Sequence, residues 1–384
     1  MSETAVSSGL QRVAVPAWDG VGPAERDRQA DASRAARALA RFDDRFAPLP
    51  RMVRLWFARK AGRRRPFMVN IAVSRACNLG CEACAYYDES QTEHVRARRD
   101  PTTAELQAMI DNVSRLGTAV LSFLGGEPTV RRDIVDLGVY ARQRGLYSLL
   151  VTNGTRMNDA LVERIPEGFH RVGVSLDGDR ESNDAIRGAG SYDLAVAGVR
   201  RFVASRARRG FATRIHLGLT LQRGHAEGAL RLAEEGLWLG VDQFFLHVNY
   251  LPRVRPTRDE LGWLIDRLRA LSAGHRGYLA GNQHYFERLL AYAGEGRFEC
   301  DAHRLGHVRV SVLGEVNPCP VGVPFDSIAD ARDPELAARF DGARVAPRPD
   351  CGHGCVRNDQ LIQDKVFDPL LPNPFDVAFA LGLR

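Results

Sequence analysis

The sequence lacks the segments that membrane insertion or export would need. No apolar run approaches the roughly 20 residues of a membrane-spanning helix, and the first residues do not have the charged and then apolar pattern of a secretory signal. Only seven cysteines occur among 384 residues. Without an export signal, such thiols more often bind metal or do chemistry than form disulfides. We therefore expect a cytoplasmic protein.

The composition is that of an ordinary globular protein. Apolar residues make up 45% and charged residues 26%, and the chain is long enough for a sizeable core and somewhat long for one domain. The formal net charge is +6, but much of the basic excess lies in one run, residues 51–65. We therefore expect no nucleic-acid partner.

Residues 1–65 differ in composition from the rest and are predicted to form a partly disordered, partly helical N-terminal extension. Residues 27–46 are rich in Ala, Arg and Asp and predict a polar helix, and residues 52–58 predict a short amphipathic one. Packing of this second helix on the main domain is favoured. Contact of Trp56, Phe57 and the basic run with a membrane surface is the alternative.

Residues 66–255 alternate between strand and helix patterns, which predicts a parallel sheet with right-handed crossovers. Six strands are predicted, too few for a closed eight-stranded barrel, so the predicted fold is α/β with a partial (β/α)6 TIM-like barrel. Chemistry in such barrels lies at the carboxyl ends of the strands. The predicted strands are residues 67–73, 119–124, 148–152, 171–176, 214–221 and 243–248. The predicted helices are residues 103–116, 133–144, 159–165, 192–206 and 226–239.

The alternation stops after Pro256, so residues 256–384 are predicted to form a loop-rich C-terminal domain. Residues 257–273 and 283–293 have helical patterns. Gly314 separates residues 307–312 from 315–316 and predicts a hairpin.

Three cysteines follow the first predicted strand in the pattern CxxxCxxC, as Cys77, Cys81 and Cys84. Three thiolates on a four-iron cluster leave one iron without a protein ligand, and that iron could take a substrate or cosubstrate. The spacing is unlike the paired CxxC units of common zinc sites, although structural zinc stays an alternative.

This motif, between a strand and a strand–helix alternation, closely resembles the signature of the radical S-adenosylmethionine (SAM) superfamily. The resemblance implies that the three cysteines hold a [4Fe–4S] cluster whose open iron chelates the amino and carboxylate groups of SAM. One electron, usually from a flavodoxin or ferredoxin, would then release a 5′-deoxyadenosyl radical that takes a hydrogen atom from substrate. The family usually has an aromatic residue before the third cysteine. Here it is Ala83, and Tyr86 or Tyr87 are candidates to replace it.

Gly125, Gly126 and Glu127 follow the second predicted strand. By itself such a sequence is a turn with a solvated carboxylate. After CxxxCxxC it resembles the GGE motif of the family, which implies that Glu127 contacts the SAM amino group and that the glycines let the backbone approach the ligand.

The third and fourth predicted strands also end in polar residues. Asn153 follows the third strand, and Ser175 and Asp177 close the fourth. Turn chemistry alone explains Asn-Gly and Asp-Gly, but the resemblance implies groups near the SAM ribose and methionine. Arg187 resembles an arginine that pairs with the SAM carboxylate.

The sixth predicted strand ends with His247, Asn249 and Tyr250. These residues could face substrate, and a structural histidine is the equal alternative.

Four further cysteines lie in the C-terminal part: Cys300, Cys319, Cys351 and Cys355. Their spacing, with Gly314 before Cys319, resembles the shortened auxiliary-cluster domain called twitch, related to SPASM. This implies a second [4Fe–4S] cluster without an open iron, suited to carrying an electron. Zinc bound by these thiolates, or with His303 or His353, is the alternative.

These features predict a radical SAM enzyme that oxidises a small sugar, aminocyclitol or similar natural-product substrate by two electrons, as a dehydrogenase does. The low content of strand signals in residues 1–65 suggests no leader-peptide-binding domain, which favours a small molecule. Peptide modification or crosslinking is the first alternative. Radical epimerisation, dehydration, lipid modification and a non-catalytic zinc-binding protein are the others.

Overall fold

The computed structural model describes residues 49–63, 65–81, 84, 99–249, 251, 253–275, 277–281, 283–295, 298–300, 306–318, 329–343 and 348–351. The predicted helix at residues 27–46 lies outside them. So do these residues named above: Ala83, Tyr86, Tyr87, Tyr250, His303, Cys319, His353 and Cys355. Cys300 and Cys351 are described by their backbone.

Six parallel strands form the centre of the molecule and confirm the predicted partial barrel. They are β1 (Met68–Ala72), β2 (Val120–Leu124), β3 (Tyr147–Thr152), β4 (Arg171–Ser175), β5 (Arg214–Leu221) and β6 (Gln243–Val248). They neighbour one another in chain order, each pair parallel. All six match the predicted strands within two residues at either end.

Helices cross from each strand to the next and cover one face of the sheet. They are α2 (Thr103–Arg115), α3 (Ile134–Gln143), α4 (Asp159–Gly168), α5 (Arg180–Arg187), α6 (Ser191–Arg209) and α7 (Ala226–Leu239). Side chains alternate along each strand, and one set, including Ile71, Phe123 and Leu217, joins the helices in one large apolar core. The other set faces the barrel interior.

Helix starts carry the expected caps. Thr102 and Glu105 form a capping box at α2, and Asn158 and Asp179 cap α4 and α5 with their side chains. These side chains accept from amides that have no partner inside the helix. Helix α5, which carries Arg187, was not predicted; four of its eight residues are charged, and it contains one buried apolar side chain, Ile186.

The N-terminal helix α1 (Leu49–Lys60) closes the amino end of β1 to β3. Met52 and Leu55 are buried with Phe67, Tyr147 and neighbouring apolar residues. This confirms the favoured packing of that helix on the barrel. The opposite face of the helix exposes Val53 and Phe57.

The C-terminal part adds strands to both edges of the same sheet, which has ten strands among the described residues. After α8 (Arg258–Ala273), β7 (Leu279–Ala280) pairs with β6, and β9 (His307–Val310) pairs in parallel with β1. The predicted hairpin is present as β9 and β10 (Glu315–Asn317). The sequence did not predict that β9 joins the barrel sheet, because pairing partners distant in the chain leave no local pattern.

Further elements complete the described C-terminal part: α9 (Gln283–Glu295), β8 (Phe298–Cys300), β11 (Ala329–Asp330), α10 (Leu336–Gly342) and β12 (Arg348–Cys351). Strands β8 and β12 form a separate antiparallel pair, with Cys300 opposite Arg348 and Cys351 opposite Phe298. The backbones of two predicted auxiliary-cluster cysteines therefore lie on adjacent strands. No helix in the described part of the chain is long and apolar enough to cross a membrane.

Candidate active site

The three motif cysteines lie in the loop that leaves the carboxyl end of β1. All three are free thiols. Burial of its sulfur raises the pKa of Cys77 to about 12, although the residue as a whole is exposed, and the Glu127 carboxylate contributes to the rise. Burial also raises the pKa of Cys81, against the effect of Arg187. Thiolate charge at these positions therefore needs a nearby cation, which iron would supply.

Two glycines bring the end of β2 against this loop. A Cβ on Gly126 would lie 2.3 Å from the carbonyl oxygen of Ala76, and one on Gly125 would lie 2.6 Å from that of Ser74. The amides of Gly126 and Glu127 donate to the same two carbonyls, each at 2.8 Å. In the described structure these glycines thus allow close packing on the backbone that precedes Cys77. The sequence had instead predicted that they let the backbone approach the ligand.

Glu127 is buried, and its side chain joins two segments of the chain. Its Oε1 accepts from the amide and hydroxyl of Thr129, at 3.0 and 2.6 Å, and from the Thr152 hydroxyl at 2.6 Å. Its Oε2 accepts from the Asn153 amide at 2.7 Å. The solvated carboxylate considered as an alternative is therefore wrong, since Glu127 is 1% exposed. The end of β3 is held to the end of β2 by this side chain.

Asn153 extends the same network to the cysteine loop. Its Nδ2 donates to Asn78 Oδ1 at 3.0 Å and lies 4.0 Å from the Cys77 sulfur. Its Oδ1 accepts from the amide and hydroxyl of Thr155, and Asn78 donates to that hydroxyl at 2.8 Å. Asn153 therefore lies beside the first cysteine, where the sequence placed a cofactor contact.

Buried Asp177 and half-buried Arg187 form an ion pair that faces the other two cysteines. Arg187 Nε donates to Asp177 Oδ2 at 2.8 Å, and Asp177 Oδ1 accepts from the Thr220 amide at 2.9 Å. Burial opposes charge on Arg187, yet Asp177, Cys81 and Cys84 raise its pKa. The guanidinium is therefore a fixed positive charge near the motif thiols, and its orientation is set by Asp177.

Two charged residues that sequence reasoning missed hold the start of the cysteine loop. Asp100 accepts from the Ser74 hydroxyl at 2.6 Å and from Arg75 Nε at 2.8 Å; burial opposes this charge, but these bonds lower its pKa. Arg131 donates to the carbonyls of Val73 and Pro101. Both residues lie in loops without a recognisable pattern, so the sequence offered no signal for them.

The candidate substrate residues lie at the carboxyl end of β6. His247 Nδ1 is 3.3 Å from the Tyr285 hydroxyl. Asn249 is buried; its amide donates to the Leu221 carbonyl and its side chain accepts from the Leu251 amide. Asn249 thereby stabilises the turn after β6. Ser175 ends β4 on the interior face, half-buried and in register with Gly218.

Among the described residues, no three His, Cys, Asp or Glu side chains come together around a single-metal site. The donor set at the end of β1 instead suits a cluster, in which each thiolate binds a different iron. Three thiols with a fixed guanidinium beside them, at the carboxyl edge of a partial barrel, define the class: a barrel enzyme built around an iron–sulfur centre.

Comparison with known proteins names that class. Residues 71–233 match the model of the Radical SAM superfamily, and this part of the chain is a Radical SAM domain. The family implies one [4Fe–4S] cluster and bound SAM.

Among curated relatives, Fe-coproporphyrin III synthase of Methanosarcina barkeri is 39% identical over 129 residues, 33% of this chain and 31% of that protein. Pre-heme d1 synthase of Dinoroseobacter shibae is 33% identical over 192 residues, 49% of this chain and 45% of that protein. The chain thus spans less than half the length of these two relatives. Mycofactocin maturase MftC of Mycobacterium tuberculosis is 28% identical over 291 residues, 72% of this chain and 69% of that one.

Two solved structures share the fold. Streptococcus suis SuiB bound to precursor peptide SuiA aligns with TM-score 0.58 and 15% identity, over 74% of this chain and 66% of that one. Native anSMEcpe with bound AdoMet and Cp18Cys peptide aligns with TM-score 0.54 and 18% identity, over 72% of this chain and 80% of that one. At these identities the likeness shows the fold alone.

Proposed function

We propose that this radical SAM enzyme oxidises a peptide substrate. When bound, the cluster and SAM supply a carbon radical that removes a hydrogen atom from an unactivated position. The observation that carries the assignment is the Asp177–Arg187 pair directed at the cysteine loop at the end of β1. A cation near the cysteine loop supports the proposal, because the carboxylate of bound SAM would need a positively charged partner there.

The substrate class follows the comparisons. A relative that aligns over 72% of this chain is named a maturase, and SuiB and anSMEcpe are both found with peptides. The sugar or aminocyclitol substrate predicted from the sequence gains no support from these proteins. Peptide modification, the first alternative from the sequence, therefore becomes the proposal.

The chain's own residues have separable roles in this proposal. Cys77, Cys81 and Cys84 hold the cluster. Arg187 pairs with the SAM carboxylate, and Asp177 orients its guanidinium. Glu127 receives the SAM amino group at Oε2, which has one hydrogen-bond donor among the described residues.

Two further cofactor contacts complete this part of the proposal. Asn153 lies beside Cys77 and is proposed to contact SAM from the end of β3. Ser175 is proposed to face the ribose from the end of β4.

The later cysteines are proposed to hold a second [4Fe–4S] cluster. Cys300 and Cys351 lie on the paired strands β8 and β12, and Cys319 and Cys355 complete four ligands. A four-thiolate cluster has no open iron and would accept the second electron of the oxidation.

The test is anaerobic turnover with defined peptides. Short peptides encoded beside this gene are incubated with the reconstituted, reduced chain and SAM, and mass spectrometry follows the peptide. The proposal predicts loss of hydrogen from a peptide that depends on Cys81. Formation of 5′-deoxyadenosine without change in any such peptide would contradict it.

A tetrapyrrole substrate is the second candidate. It is favoured by the higher identity to the two synthases named above, 39% over 129 residues and 33% over 192 residues. Parallel incubations with iron-coproporphyrin III separate this candidate from the peptide.

A further inference from the structure

A closed ring of three hydrogen bonds joins the loop after β3 to the cysteine loop. Asn153 Nδ2 donates to Asn78 Oδ1 at 3.0 Å. Asn78 Nδ2 donates to the Thr155 hydroxyl at 2.8 Å, and that hydroxyl donates to Asn153 Oδ1 at 2.7 Å. Because each side chain both donates and accepts, the bonds polarise one another. The ring thus holds together two loops that are distant in the chain.

One main-chain amide decides the direction of every bond in this ring. The Thr155 amide donates to a side-chain atom of Asn153 at 3.0 Å. A main-chain N–H can only donate, so that atom is the oxygen Oδ1, and Nδ2 lies on the other side of the group. Asn78 must then present its oxygen to Nδ2 and its nitrogen to the Thr155 hydroxyl. The fold therefore fixes which way the Asn153 amide points.

The ring leaves one N–H of the Asn153 side chain for Cys77. Nδ2 has two hydrogens. Asn78 accepts one of them, and the nitrogen lies 4.0 Å from the Cys77 sulfur. The Leu79 amide donates to the same sulfur at 3.4 Å. Sulfur is a weak acceptor, but a thiolate is charged, and charge strengthens a hydrogen bond.

We propose that the Asn153 amide raises the reduction potential of the cluster bound by Cys77, and that Asn78 and Thr155 are the positioning residues that direct this amide at the sulfur. Hydrogen bonds to the sulfurs are one of the properties that set the potential of an iron–sulfur cluster. The reduced cluster carries one more negative charge than the oxidised one, so an N–H beside a ligand sulfur stabilises the reduced form more. The ring therefore favours reduction of the cluster.

The inference rests on the proposed function in one respect, namely that Cys77 binds the cluster. It does not depend on which substrate loses hydrogen. Both hydrogens of Asn153 Nδ2 are engaged in this arrangement, so the contact with SAM proposed for Asn153 falls to its main chain.

The test is a potentiometric titration of the anaerobically reconstituted full chain without SAM, followed by electron paramagnetic resonance. The signal of this cluster is the one that is missing from Cys81→Ala. Thr155→Val keeps the shape of the side chain but removes the hydroxyl that closes the ring. At a given potential it should lower the ratio of reduced to oxidised cluster at least threefold, which is about 28 mV for a one-electron couple. Thr155→Ser keeps the hydroxyl and should retain the original potential.

Asn153→Ser removes the donor itself. The serine hydroxyl can still accept from the Thr155 amide and preserve the turn, but it is too short to place a donor where Nδ2 lies. This variant should lower the potential at least as much as Thr155→Val does. Adding Thr155→Val to it should change the potential no further, because Thr155 acts through Asn153. A residue with a merely structural role would not show this dependence.

Thr118→Val is the matched control, since the buried Thr118 hydroxyl has no hydrogen-bond partner among the described residues. It should leave the potential unchanged. An unaltered potential in Thr155→Val with its iron bound, a further fall in the double variant, or an equal fall in Thr118→Val would each overturn the inference. Failure of the unmodified chain to bind iron would overturn the proposed function as well, and the iron content shows that failure separately from the potential.

Discussion

Asp177 and Arg187 explain how a flexible side chain becomes a fixed charge at the cysteine loop. Arginine has a rigid, planar group of donors, and here its Nε is occupied by a carboxylate that is itself held by the Thr220 amide. The terminal nitrogens are then oriented by the protein. When a ligand carboxylate binds these nitrogens, the Arg187 side chain therefore loses little additional conformational entropy.

Asp177→Asn should therefore weaken SAM binding without loss of iron. Asn can still accept from Thr220, but it removes the charged partner of Arg187, and we expect the dissociation constant of SAM to rise about tenfold, about 1.4 kcal/mol. Equilibrium dialysis measures it. Arg180→Gln, which breaks the exposed Arg180–Asp193 pair, is the control; equal affinity in both variants would refute the positioning role.

Glu127 has a structural task that the sequence did not reveal. Glu127→Gln places an amide donor against the donors that now point at the carboxylate, so the free energy of unfolding should fall by about 2 kcal/mol. Denaturant unfolding checks this, with the exposed Glu181→Gln as the matched change. Unaltered stability together with weaker SAM binding would show that Glu127 serves the ligand alone.

At the scale of elements, helix α1 is joined to the barrel by one half-buried arginine as well as by its apolar face. Arg51 donates to the carbonyls of Ser114 and Thr118, each at 3.1 Å, and to the Arg144 carbonyl. Ser114 and Arg144 lie at the ends of α2 and α3, where carbonyls lack helical partners. A cation at two helix ends is also favoured by the helix dipoles.

Arg51→Met should loosen α1 while leaving the rest of the barrel folded. It leaves several carbonyls without donors, and we expect a loss of about 2 kcal/mol in unfolding free energy and faster hydrogen exchange in residues 49–60. Arg54→Met, an exposed change in the same helix, should do neither. Equal exchange in the two variants would contradict the anchoring role.

The starts of β3 and β4 are joined by a histidine that stays neutral. His170 Nδ1 accepts from the Ser148 amide at 3.0 Å, and the ring stacks on Tyr147. Burial, and then Arg142, lower its pKa from 6.5 to about 3. Between these pH values the unfolded chain binds a proton that the folded chain does not, so stability falls as the pH falls.

His170 should therefore lower the free energy of unfolding by about 1.4 kcal/mol for each pH unit below 6.5. His216 should act in the same direction. Urea titrations at pH 7.5 and 5.5 compare the unmodified protein with His170→Phe, which keeps the ring contact. A smaller loss is expected in the variant. An identical loss of stability in the unmodified protein and in the variant would show that groups other than His170 cause the pH dependence.

At the scale of the whole molecule, local patterns predicted most of the barrel. Strand β5 and helix α7 have the bounds that alternation and periodicity predicted. A half-buried strand has apolar residues at every second position, and an amphipathic helix has them every three to four positions, so both patterns are visible in the sequence. The cysteine motif predicted the position of the site for the same local reason. Its residues are close in the chain.

Contacts distant in the chain were not predictable in this way. Asp100, Arg131 and the buried bonds of Glu127 depend on loops that meet only in the fold. The parallel pairing of β9 with β1 joins residues more than 230 positions apart. The division at residue 255 and the ligands of a second cluster stay predictions.

The measurement that tests the account most directly is SAM cleavage by the full chain. The protein is reconstituted anaerobically with iron and sulfide, reduced with dithionite and incubated with SAM, and 5′-deoxyadenosine is quantified by chromatography. The account predicts its formation by the unmodified chain and none by Cys81→Ala. No product despite a full complement of iron, or equal product from Cys81→Ala, would contradict it.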